Sequence, residues 1–259
     1  VKVLISNDDG IFSPGIHALA RALRDVADEV LVVAPDVEQS AMGHAITVRR
    51  PLRYKATKLG GLEGVPAFRV DGTPADCVVL GVHNGGRPDI VVSGINIGSN
   101  LGYDITHSGT VAAAIEGATM GIPAIAFSLR TGEGDLDFSY SADFAKQLVP
   151  AVAKRGLPKK ALLNVNFPAG KPKGVRLARQ STHSYQDAVI SREDPDGVPY
   201  YWIAGTPTAE REPDTDYTTV VDGFIAVTPL YLDLTYSRFF ANLAEFVPGL
   251  EQAEPSKSS

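Results

Sequence analysis

KVLISNDDG, residues 2–10, sets the frame in which the rest of the chain is read. Val3, Leu4 and Ile5 form an unbroken apolar run of strand length, and a polar turn follows at once. A short run with no polar alternation fits a strand covered on both faces, as in a parallel sheet flanked by helices. The next segments keep that rhythm. PGIHALARALRDVA (14–27) places Ile16, Leu19, Ala20, Leu23 and Val26 at helical spacing, with Pro14 suited to a first turn. EVLVVAP (29–35) is a second buried strand, and Pro51 to Val70 reads as a hairpin or a pair of short strands. Thr73-Pro74 opens a helix to about His83, DIVVSG (89–94) is a strand, TVAAAIEGATMG a helix and IPAIAFSL a strand. The expected class is α/β: a Rossmann-like three-layer αβα parallel sheet.

After Arg130 the pattern loosens. TGEGDLD (131–137) reads as a loop, SYSADFAKQLVPAVAKRG as a helix and ALLNVNFP (161–168) as a strand. Residues 180–222 lack a clean period and suggest a projecting hairpin arm. FIAVTPLYLDLT (224–235) is a further strand, YSRFFANLAEFV (236–247) a short terminal helix and EQAEPSKSS a frayed tail. The division expected is a core with the site over 1–130, and a part over 131–259 that completes the sheet and carries an oligomerisation arm.

The 259 residues can bury a sizeable core, and a formal charge of −6 argues against a general nucleic-acid or membrane-surface binder. One cysteine, Cys77 in ADCVVLGV, excludes an internal disulfide framework and reads as a small buried residue. Neither a secretory leader nor a membrane-length apolar run is seen, so a cytoplasmic location is the expectation.

In parallel α/β sheets ligands bind beyond the carboxyl ends of the strands. Those positions hold Asn7-Asp8-Asp9-Gly10, then Pro35 to His44 with Ser40, then Ser93 to Gly98 with Asn96. Adjacent carboxylates about 4 Å apart repel by roughly 4 kcal/mol at an effective dielectric near 20. An Asp-Gly turn can relieve that by pointing the side chains apart, and a cation can relieve it by binding both. Asp8, Asp9, Ser40 and Asn96 are hard oxygen donors suited to Mg²⁺, Mn²⁺ or Ca²⁺. Ser108-Gly109-Thr110 at a helix start is either a phosphate cradle or an ordinary N-cap. His44 and His107 lie in loops expected near the site, whereas His17, His83 and His183 read as structural or surface residues. A dinucleotide G-x-G-x-x-G after the first strand, a P-loop, a G-x-S-x-G elbow and an H-E-x-x-H zinc motif are all absent.

LISNDDGIFSPGI (4–16), VVAPDVEQSAMGHAIT (32–47), VDGTPADCV (70–78) and VVSGINIGSNLGYDITHSGTVAAAIEGATMGIPAIAFS (91–128) together resemble the survival protein E (SurE) family of nucleotidases. LLNVNFP and FIAVTPL continue the likeness more weakly. The resemblance implies a phosphatase of nucleoside 5′- and 3′-monophosphates, with short polyphosphate as a further substrate. It implies one divalent ion per subunit, Mg²⁺ or Mn²⁺, on Asp8, Asp9, Ser40 and Asn96. Asp8, Asp9 and His107 would serve catalysis, and Gly43, His44, Ser108, Gly109 and Thr110 the substrate. A homodimer or homotetramer with exchanged C-terminal arms is also implied, with no nucleic-acid polymer or membrane as partner. Phe12-Ser13 departs from the small polar or basic residue and alanine that many members carry before the proline of this loop. Two other readings stand beside it: a haloacid-dehalogenase-like phosphatase, whose acids lie two residues apart, and a non-catalytic nucleotide-sensing module.

Overall fold

The structure, a computed structural model, describes residues 1–132, 136–182, 184–186, 189–203, 206–208, 211–243 and 246–247. His183, part of the 131–137 loop and the 251–259 tail lie outside the described residues.

The first strand, β1 (Lys2–Ser6), buries Val3, Leu4 and Ile5 almost completely. Their alternation feeds two cores. Val3 and Ile5 pack with Ile16 and Leu19 of helix α1 (Pro14–Arg24), while Leu4 points to the opposite cluster. β2 (Glu29–Pro35) lies parallel to β1, and β3 (Tyr54–Thr57) and β4 (Ala67–Val70) form the antiparallel pair expected between Pro51 and Val70. Helix α2 (Pro74–Gly85) starts with a capping box: Thr73 accepts from the Asp76 N–H, and the Asp76 carboxylate accepts from the Thr73 N–H. Cys77 of α2 is buried among Leu4, Val78 and Val91, and burial pushes its thiol well up, as suits an inert core residue.

β5 (Ile90–Ile97), α3 (Gly109–Thr119) and β6 (Ala124–Leu129) follow, then α4 (Ser139–Arg155) and β7 (Ala161–Phe167). α1 and α4 line one face of the sheet, α2 and α3 the other. β8 (Val175–Leu177) and β13 (Ile225–Tyr231) complete a nine-stranded sheet of order β3-β4-β2-β1-β5-β6-β7-β13-β8. The fold is therefore the expected Rossmann-like αβα arrangement, with β3 antiparallel to β4, and β13 antiparallel to β7 but parallel to β8. The chain steps from β1 outward to β2 and β4, then returns to place β5 on the other side of β1. That reversal opens a crevice beyond the ends of β1 and β5.

Three boundaries differ from the sequence reading. β5 runs past Gly94 to Ile97, with a register shift between Ser93 and Asn96, so Asn96 sits on the strand itself. Gly94 is needed there: its φ is +121°, and a Cβ would lie 2.3 Å from the Phe127 carbonyl oxygen. Residues 180–222 resolve into two ribbons, β9 (Ser184–Gln186) with β12 (Thr206–Thr208) and β10 (Val189–Glu193) with β11 (Pro199–Ile203), followed by a short helix α5 (Asp216–Val221). The terminal helix shrinks to a 3₁₀ turn at Ser237–Phe239 and one turn, α6 (Phe240–Leu243), among the described residues. No helix among those residues is long and apolar enough to cross a membrane.

Candidate active site

The turn after β1 is locked by Asn7, whose Nδ2 donates to the Gly10 carbonyl and to Ser13 Oγ, both at 2.9 Å. Ser13 in turn precedes the first residue of α1, which gives the unusual Phe12-Ser13 pair a definite geometry. The turn is tied to the loop after β2: the Ile11 N–H donates to the Pro35 carbonyl, and the Gln39 N–H to the Asp8 carbonyl. These bonds bring Ser40 beside the carboxylates. Asp9, Gly10, Phe12, Asp36, Glu38, Ser40 and Ile97 line one open cleft of about 520 Å³.

Asp8 is 4% exposed and receives the Thr110 hydroxyl hydrogen bond on Oδ1. Gly109 packs directly on it, since a Cβ there would lie 2.7 Å from the Asp8 Cβ. The start of α3 therefore sits against the Asp8 carboxylate, where free N–H groups and the helix dipole favour negative charge. Burial nevertheless pushes the Asp8 carboxyl above its usual range, against the lowering effect of Thr110. Asp9 Oδ2 accepts from the Ile97 N–H at 3.2 Å, which links the ends of β1 and β5. Burial first, and then the Asp8 charge, push Asp9 up to about 7, with Glu38 adding to the rise. Among the described residues no lysine, arginine or histidine offsets either shift.

A buried and a partly buried acid with no basic partner among the described residues are what a bound cation would relieve, so the residues present fit a divalent ion. Asn96 Nδ2 donates to the Gly98 carbonyl at 2.8 Å, which fixes the orientation of its amide. Ser40 Oγ donates to Glu38 Oε1 at 2.7 Å. Glu38 is a cleft residue that the sequence reading passed over, and its only signal was its position two residues before Ser40. Among the described residues no group of three or more His, Cys, Asp or Glu is arranged to hold a metal, so a cation bound here would need amide or hydroxyl oxygens as well.

The remaining candidates divide. Ser108 is the N-cap of α3, its Oγ accepting from the Val111 N–H, and Thr110 serves Asp8; both hydroxyls are thus engaged within the protein. Gly43 has φ +56° and donates its N–H to the His107 carbonyl, so the loops after β2 and β5 are joined. The His107 ring is exposed. His44 does not line the cleft of Asp9: its Nε2 lies 2.8 Å from Glu116 Oε2 on α3, in a separate cavity of about 690 Å³ that also borders Thr228 and Leu230.

Residues 3–187 match the family model described as Survival protein SurE. The chain belongs to the SurE family. The 5′-nucleotidase SurE 1 of Thermus thermophilus is 60% identical over 250 residues, covering 96% of this chain and 99% of that protein. The 5′-nucleotidase SurE of Deinococcus radiodurans is 58% identical over 252 residues, covering 96% and 94%. The crystal structure of the SurE protein from Aquifex aeolicus superposes with a TM-score of 0.78 at 42% identity, over 93% of this chain and 97% of that one. The strand ends carrying Asp8, Asp9, Ser40 and Asn96 all fall inside the range matched by the family model.

The acid pair gives the metal-free SurE chain a signed pH dependence. Asp9 titrates near 3.8 when unfolded and at about 7 when folded. Between those values the folded state holds a proton that the unfolded chain has released, so stability falls as pH rises through the window. Asp8, raised by burial, acts in the same direction. Allowing for solvent screening of the partly exposed Asp9, its share is about 1–2 kcal/mol, or roughly 3–6 °C in Tm. Thermal unfolding of chelator-treated protein at pH 5 and pH 8 reads this, and Asp9→Asn flattens the difference. An unchanged slope in that variant would place the dependence elsewhere.

Proposed function

We propose that the chain is a 5′-nucleotidase that hydrolyses nucleoside monophosphates with one divalent cation, Mg²⁺ or Mn²⁺, held by Asp8, Asp9, Ser40 and Asn96. The observation that carries this reading is the pair of buried Asp8 and partly buried Asp9 at the switch point, both raised in pKa with no basic partner among the described residues. The names of relatives near 60% identity support the activity. The bound cation supplies charge withdrawal from a phosphoryl oxygen and acidifies a water.

The residues of the chain do the rest. Asp8 is fixed between Thr110 and Gly109, so it is held as a ligand rather than left free as a base. Asp9 is tied at one oxygen, to the Ile97 N–H, and receives the proton from the attacking water. The P–O ester bond breaks as the water oxygen bonds to phosphorus, and the nucleoside leaves as the alcohol, its oxygen protonated by the exposed His107. Glu38 orients Ser40 through their hydrogen bond. Gly43 and the start of α3 at Ser108-Gly109-Thr110 border the phosphate, whereas His44 is paired with Glu116 in the separate cavity.

The 3′-monophosphates and short polyphosphate are proposed as further substrates, and the cytoplasm as the place of action. A homodimer or homotetramer through the arms is supported by β10–β11, which among the described residues forms a two-stranded sheet of its own while Tyr201, Trp202 and Ile203 stand exposed. The reading is tested by phosphate release in excess Mn²⁺ from 5′-AMP, 3′-AMP and a short polyphosphate. Release from 5′-AMP is expected to be fastest; tight nucleotide binding without release would turn the chain into a sensor.

A further inference from the structure

Two asparagines stand in the middle of the sheet, where the pattern calls for aliphatic side chains. Asn164 and Asn166 alternate along β7, share one of its faces and are fully buried. Burying an amide without partners is costly, so such residues mark a structural demand. Here the demand comes from one peptide unit of the glycine-rich loop after β5. Asn166 Oδ1 accepts from the Asn100 N–H at 2.8 Å, and its Nδ2 donates to the Asn100 carbonyl at 3.0 Å. Asn164 Nδ2 donates to the same carbonyl at 2.9 Å, and the Asn100 side chain donates to Ser128 Oγ on β6 at 2.8 Å.

Two residues further on the pattern repeats with other partners. The Gly102 N–H donates to Asp216 Oδ2 at 3.0 Å, and its carbonyl accepts from Gln180 Nε2 at 2.7 Å. Asp216 is fully buried, and its other oxygen accepts from the N–H groups of Ser181 and Tyr217. Side chains from the C-terminal part thus grip the loop at Asn100 and again at Gly102. A third tie, from the Gly98 N–H to the Leu129 carbonyl, lies just before them. Upstream of the grip is Asn96, and downstream are Gly109 and Thr110, which abut and hydrogen-bond Asp8.

We propose that Asn164, Asn166 and Asp216 are positioning residues for the cation site: by clamping Asn100 and Gly102 they fix both Asn96 and the α3 start that orients Asp8. This deepens, and rests on, the nucleotidase reading above. Asn166 and Asp216 have every side-chain polar group bonded and Asn164 uses its Nδ2, with its Oδ1 left unpaired; a buried network of this kind defines one arrangement of the backbone, which fixed metal ligands require.

The test uses three variants of the full chain. Asn166→Leu removes both bonds of the central clamp at similar size. Gln180→Met removes one bond from an exposed side chain, where folding is not at risk. Thr228→Val is the control, since Thr228 pairs with Asn164 in register, is buried, and has no hydrogen-bond partner for its hydroxyl. Mn²⁺ dissociation constants on substrate-free protein, hydrogen exchange over 98–108, and kcat and KM for 5′-AMP are measured together. Asn166→Leu is expected to weaken Mn²⁺ binding about 10-fold and to lower kcat at saturating Mn²⁺ about 30-fold, with little change in KM. Exchange over 98–108 rises while that of β1 and β2 stays put. Gln180→Met moves the same readouts in the same direction by about threefold, below the roughly 10–100-fold typical of outer-shell partners because a single bond is lost, and Thr228→Val moves none. Wild-type Mn²⁺ affinity and exchange in both Asn166→Leu and Gln180→Met would overturn the proposal, as would equal effects in Thr228→Val. Should Asn166→Leu fail to fold, Gln180→Met decides. If the wild-type chain released no phosphate, the nucleotidase reading would fall, while exchange and Mn²⁺ affinity would still decide the positioning role.

Discussion

Asp8→Asn lowers phosphate release from 5′-AMP by about 10³-fold or more, equivalent to about 4 kcal/mol of barrier, while the protein stays folded. The substitution is nearly isosteric, and the new Oδ1 can still accept the Thr110 hydroxyl hydrogen bond, so the α3 start keeps its place. What disappears is one of the two charges that draw a cation to this edge of the sheet. Asp9→Asn acts on the other and has a distinguishing mark. It removes the carboxyl that burial and Asp8 hold at about 7, so the metal-free variant is more stable than wild type at pH 8 while turnover collapses. Steady-state assays with excess Mn²⁺, paired with thermal unfolding in chelator, check both halves. Near-normal turnover in either variant would remove the carboxylate pair from the mechanism.

Gly109→Ala is expected to cost about 10²-fold in kcat, because a misplacement near 1 Å at a reacting constellation has that effect. Glycine is required here by proximity, not by backbone angle. The added Cβ would lie 2.7 Å from the Asp8 Cβ, 3.0 Å from Asp8 Oδ2 and 3.1 Å from the Pro74 Cγ. Asp8 sits on a buried turn and Pro74 begins α2, so neither yields easily. Alanine favours a helix over glycine by roughly 1 kcal/mol, which offsets part of the overpacking. The loss should therefore fall on kcat and cation affinity more than on Tm. Wild-type kcat in Gly109→Ala would show that the contact between α3 and Asp8 plays no part in positioning.

Much of the fold was legible because its central elements obey simple periods. Val3, Leu4 and Ile5 form a run without alternation because β1 is covered on both faces, and Ile16, Leu19 and Leu23 recur at helical spacing because α1 buries one side. The arm was not legible in detail. Val189, Tyr201 and Ile203 on one face and Ile190 and Trp202 on the other are all exposed in the single chain, so neither face of β10–β11 has the buried side that imposes alternation. β5 was read too short because Gly94, normally a strand breaker, marks a register shift and not an end.

The site followed the same division. The proposed ligands Asp8, Asp9, Ser40 and Asn96 are grouped from sequence by the convergence of strand ends in a parallel sheet, and of them Asp9 and Ser40 line one cleft. Partners set by tertiary packing could not be grouped that way. Thr110 reaches Asp8 across 102 positions of sequence, and Asp216 reaches Gly102 across 114. His44 was placed near the substrate by its loop, yet it meets Glu116, 72 positions away. No local pattern announces such pairs, and LLNVNFP read simply as a strand until its asparagines were seen to grip Asn100.

The most direct check is phosphate release from 5′-AMP by chelator-stripped protein, with Mg²⁺, Mn²⁺, Co²⁺ or Ca²⁺ added back one at a time. Stripped wild-type protein should release no phosphate above background, Mn²⁺ or Mg²⁺ should restore turnover, and neither should restore it in Asp8→Asn. Full turnover in the stripped protein, or restoration by Mn²⁺ in Asp8→Asn to the wild-type level, would contradict a cation site built on Asp8 and Asp9.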